Sequence, residues 1–122
     1  MSEIQSIKGL IPLLGRWVEY TQAFSKAGED GYYTEEEFVA KHPAYKLQYN
    51  YYIRGRVSVV YLPDGRPIGL IHHPWVYMNG EQLGNAREDD WIYSDAKLIA
   101  MKMSLVEDTA WIEMTERAQQ PR

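Results

Sequence analysis

The run LQYNYYIRGRVSVVYLPDGRPIGLIHH, residues 47–73, limits the fold more than any other part of the chain. Tyr, Val and Ile dominate it, side chains that suit a pleated, half-buried surface, and Pro63, Asp64 and Gly65 punctuate its middle. Two antiparallel strands joined by a tight turn at Pro63–Gly65 are expected. WVYMNGEQLG follows, with Asn79 and Gly80 forming the dipeptide that takes positive φ at low cost in two-residue turns. A second, shorter hairpin is therefore expected.

The flanks give weaker signals. Leu10, Leu13, Leu14, Trp17, Val18, Thr21 and Phe24 recur at spacings of three and four, Pro12 suits a first turn and Gly28 a stop, so a helix over 10–24 is expected. GEDGYYTEEEF, residues 28–38, raises a choice between a calcium loop and a helix start. With Gly31 at the sixth position of an EF-hand loop, Glu37 falls at the twelfth, but Lys26 and Gly28 then stand where the first and third carboxylates are needed. Thr34 as N-cap, Glu37 three residues on and the Tyr33–Phe38 staple explain the same residues as a helix start, ending near His42 before Pro43. Residues 96–115 alternate Ile99, Met101, Met103 and Leu105 with smaller or polar residues and read as a third hairpin. The polar tail, 117–122, is expected to fray.

Together these features predict an α+β domain, with two N-terminal helices packed on an antiparallel, hairpin-built β-sheet. At 122 residues, 45% hydrophobic and 25% charged, the chain suits one globular domain over 1–122. No apolar run reaches the roughly 18–20 residues that cross a bilayer and MSEIQSIKG lacks secretory features, so a soluble, cytoplasmic protein is expected. Cys is absent, which excludes disulfides, thiolate nucleophiles and cysteine-rich zinc sites. Neither a metal nor a cofactor is expected.

The net charge of −4 arises entirely in the second half: residues 1–61 carry seven basic and seven acidic side chains, residues 62–122 six and ten. A general duplex-binding protein wants the opposite balance. Glu88, Asp89, Asp90 and Asp95 surround Trp91 and Tyr93 in EDDWIYSD, the composition of an interaction hot spot with a polar rim. These six are the candidate partner-binding residues, and their charge implies a protein partner with a basic surface.

Two alternatives stand beside this. Lys46, Tyr49, Tyr51, Tyr52, Arg54 and Arg56 interleave cations with aromatic faces, the pattern that holds single-stranded nucleic acid. His72 or His73 could meet an aspartate in the lumen of a curved sheet and serve a small enzyme. Adjacent strand residues face opposite ways, so the two imidazoles do not share one metal easily. There is no phosphate loop, nucleophile elbow or zinc helix, and no catalytic residue is assigned.

IKGLIPLLGR, VVYLPDG, LIHHP, the AKL triplet at Ala96–Leu98 and EMTER are similar, in that order, to pieces of the core of RecT-type phage annealing proteins. The pieces are short, the spacing of the first two differs and most of that longer domain has no counterpart, so no functional residue is carried across. The leading expectation is a small non-catalytic interaction protein of the inhibitor, immunity or phage and plasmid accessory type. Exposed strand edges and many tyrosines also admit a homodimer.

Overall fold

The computed structural model describes residues 3–44, 52–79, 81–85 and 88–118. Two antiparallel ladders dominate it. Strand β4 (Ile53–Tyr61) turns through Leu62–Arg66 into β5 (Pro67–His72), in register from Arg56↔His72 to Tyr61↔Pro67. The turn is closed by the Arg66 side chain and amide on the Asp64 carboxylate and by Gly65 at φ +86°, as its composition predicts. β6 (Trp75–Met78) and β7 (Glu81–Asn85) form the second hairpin, with Asn79 in the left-handed region.

The registers show how these strands connect. From the Arg56↔His72 pair to the Ile53↔Met78 pair, β4 moves three residues while its partner moves six. β5 and β6 therefore run consecutively along one side of β4, with the surplus residues bulging out around His73 and Pro74. Such bulges bend a strand and re-aim its side chains. β8 (Asp90–Ile92) pairs with β5 just as β7 pairs with β6, so the outer strands follow the same bend.

The other side of β4 corrects the expected architecture. In place of a helix over 10–24, a 3-10 helix (Ile7–Leu13) is followed by β1 (Trp17–Tyr20), which pairs with β4, and by β2 (Phe24–Ser25), which pairs with β3 (Tyr32–Tyr33). Pro12 falls inside the short helix and Gly15, at φ +78°, breaks the path after it. Trp17, Val18 and Tyr20 gain more by pairing with a long central strand than helix propensity offers, and the three-four spacing came from two separately buried pieces. The protein is thus mostly antiparallel sheet, with short helices spread along the chain rather than gathered at its start.

The second expected helix does form. α1 (Glu35–Lys41) starts at Thr34, whose hydroxyl accepts from the Glu37 amide, and Phe38 stacks on Phe24 with ring centres 4.0 Å apart.

The expected third hairpin does not form. α2 (Asp95–Ala100), a two-residue β9 (Ser104–Leu105) on β1 and α3 (Thr109–Ala118) occupy that stretch. Ser94 caps α2 at the Lys97 amide, and the Asp108 carboxylate accepts from the Trp111 amide. The alternation was misleading because Leu98 and Met101, three residues apart on a helix, are buried while Ile99 is exposed. Arg117 and Ala118, expected to fray, belong to α3.

Adjacent β1 residues divide the interior in two. Val18 and Tyr20 join Leu10, Ile53, Val57, Ile71, Ile92, Leu98, Met101 and Met103 on one face of the sheet. Trp17 meets Tyr77 and Trp111 on the other, edge to face, with centroids 5.1–5.9 Å apart. No helix among the described residues is long and apolar enough to cross a membrane.

Candidate functional site

β8 is an edge strand and its successive residues serve opposite faces. Ile92 is fully buried, whereas Trp91 is 40% and Tyr93 67% exposed. The two exposed rings lie nearly parallel, 18° apart with centroids separated by 6.4 Å. Residues two apart on a strand share a face, which is why the sequence places them together. Lys97 reaches from α2 to donate to the Trp91 carbonyl at 2.6 Å. That ammonium occupies a main-chain acceptor of the edge, the kind of blunting that discourages strand addition. The aromatic side chains remain as the accessible feature.

The four acids do not form one rim. Glu88 is exposed and Asp89 lies 2.9 Å from His72 Nδ1 at the surface. Asp95 is exposed, yet its carboxylate accepts from the Ile7 amide and ties α2 to the 3-10 helix. Asp90 turns inward.

Behind β8 lies a polar cluster whose combination the sequence did not announce. His73 is completely buried. Its Nδ1 lies 3.1 Å from the Arg54 carbonyl oxygen, which can only accept, so Nδ1 carries a proton. Its Nε2 lies 2.6 Å from the Tyr20 hydroxyl and 3.1 Å from Asp90 Oδ2, and the Tyr20 hydroxyl donates to the same carboxylate oxygen. The single phenolic proton serves one of the three contacts in this triangle. Gly55 makes room for the imidazole, because a Cβ there would come within 2.8 Å of the ring and 2.6 Å of Ile71. The bulge at His73–Pro74 aims the ring inward and leaves His72 outside.

Tyr20 and Asp90 also form part of the wall of a cleft of about 240 Å³, with Lys97 from α2, the polar Thr21 and Gln22, and Ala23, Ile53 and Met101. His72 and His73 sit on opposite faces, as expected, and His73 does reach an aspartate. Tyr20 was hidden by the helical reading of its segment.

The Tyr/Arg strand is placed differently from a free binding face. Lys46, Tyr49 and Tyr51 lie outside the described residues. Arg54 is buried, bonded to Glu19 at 3.1 Å and set over the Trp111 ring, 4.4 Å from its centre, and over Tyr52, 5.0 Å away. Arg56 pairs with Glu116 at 3.3 Å and covers Trp17. Both guanidinium groups fasten α3 to the sheet.

Among the described residues no group of three His, Asp or Glu side chains is placed to hold a metal ion. No family model, no curated protein and no solved structure matches the chain.

Proposed function

We propose that this is a non-catalytic interaction protein that docks a protein with a basic surface through the outer face of β8, with Trp91 and Tyr93 as the anchors. The observation that carries the reading is the exposed, mutually stacked aromatic pair on a strand whose neighbouring residue is fully buried. Rigid Trp and Tyr side chains supply large contact area at low entropic cost and tolerate a half-wet setting until a partner covers them. Glu88 and Asp89 flank the pair and add to a net charge of −4. They steer a basic partner, while Asp90 and Asp95 hold the strand and helix in place. An inhibitor, immunity or phage accessory role fits a chain built this way.

The test is affinity capture from the native host with wild type, Trp91→Ala and Glu88→Lys, read beside thermal melts. A basic protein retained by wild type and lost from Trp91→Ala at an unchanged Tm supports the reading, with Glu88→Lys slowing association. Capture indifferent to Trp91→Ala, or salt-sensitive retention of single-stranded oligonucleotide in place of protein, overturns it.

A further inference from the structure

The cleft behind β8 has a composition that the aromatic ledge does not use. Its two charged wall residues have opposite signs and come from different elements, Asp90 from β8 and Lys97 from α2. Asp90 already has His73 and the Tyr20 hydroxyl beside it. Lys97, by contrast, makes its hydrogen bond among the described residues to a neutral carbonyl, and no carboxylate of those residues is in ion-pair contact with it. The rest of the wall is mixed, with Thr21 and Gln22 beside Ala23, Ile53 and Met101. At about 240 Å³ the space lies below the roughly 300–1,000 Å³ of sites for drug-sized ligands.

A core gains nothing in stability from a tyrosine, histidine and aspartate where apolar side chains of similar size would pack, since burying polar groups costs free energy that their mutual bonds only offset. Here the buried His73 and Tyr20 hold the Asp90 carboxylate, whose side chain is 27% exposed, at the wall of the cleft that Lys97 borders.

We propose that this cleft binds a small zwitterion of the amino-acid class. The ligand's carboxylate pairs with the Lys97 ammonium, displacing it from the Trp91 carbonyl. Its ammonium donates to Asp90, and its side chain lies against the mixed wall of Thr21, Gln22, Ala23, Ile53 and Met101. His73 and Tyr20 are positioning residues for Asp90. The site is independent of the partner reading, which concerns the opposite face of β8.

Titrating the full-length protein with free leucine, followed through the methyl signals of Ile53, Ala23 and Met101, tests this. Saturable shifts are expected, with butyrate and butylamine, each carrying one of the two charges, binding at least about tenfold more weakly than leucine. Lys97→Met, a substitution at a half-buried helix position whose fold the same spectra report, is expected to weaken leucine binding by a similar factor. Asp90→Asn is expected to do likewise and provides a second reading at the other end of the ligand. Absence of a saturable shift with leucine, butyrate binding as tightly as leucine, or leucine binding unchanged in Lys97→Met overturns the proposal.

Discussion

The two faces of β8 differ sharply, with Ile92 fully buried and Trp91 40% exposed. Inward, Asp90 and Ile92 belong to a polar triangle and to the main core; outward, Trp91 and Tyr93 stack on each other and face water. A single strand thus carries residues whose removal should cost stability and residues whose removal should cost only binding. The same amino-acid types do opposite jobs elsewhere, since Trp17 and Trp111 are buried while Trp91 is not. Aromatic character alone therefore does not mark a site; the face it is presented on does.

The contrast is broken most forcefully at Ile92. Ile92→Ala removes a fully buried side chain, and urea unfolding should show a loss of about 2–5 kcal/mol. Gly55→Ala comes next: its new Cβ meets Ile71 and the His73 ring, for a cost of about 1–3 kcal/mol. It should also displace the imidazole, visible as changed His73 ring signals. Tyr20→Phe deletes the hydroxyl at one corner of the triangle and should cost about 1–3 kcal/mol, because His73 and Asp90 each lose a hydrogen-bond contact in a part-buried site. Trp91→Ala should stay within about 1 kcal/mol of wild type, in the range of surface substitutions. If it matches Ile92→Ala, the two faces are not distinct and the docking reading falls.

The smallest effect belongs to Asp64, on the far turn. The Arg66 amide, then the Arg66 side chain, hold its carboxyl below the ordinary carboxylate range. A depressed carboxyl contributes stability above its unfolded value and loses it as pH falls through the lowered one. Since the group is fully exposed, acid titration of Asp64→Asn should follow wild type within the scatter of a thermal melt.

Some of this was legible from the residues in order. The Pro63–Gly65 turn, the Asn79 turn and the Thr34 cap each depend on groups a few positions apart, and each forms as expected. The helix over 10–24 and the hairpin over 96–115 were misread because spacing records that residues are buried, not what they are buried against. Ser94 and Asp108, ordinary capping residues, carried an unused signal for α2 and α3. Trp91 and Tyr93 were singled out on composition, and their exposure follows from strand alternation once Ile92 is anchored.

Local chemistry, then, determined the turns, one cap and the central hairpin, because those choices are made within reach of a few backbone bonds. Only the tertiary structure decided that Tyr20, His73 and Asp90 meet, since their contacts span 53, 70 and 17 residues. It likewise turned Arg54 and Arg56 from candidate ligand contacts into fasteners for α3. The physical reason is that strand pairing and a bulge, neither encoded by any short stretch, set which faces come together.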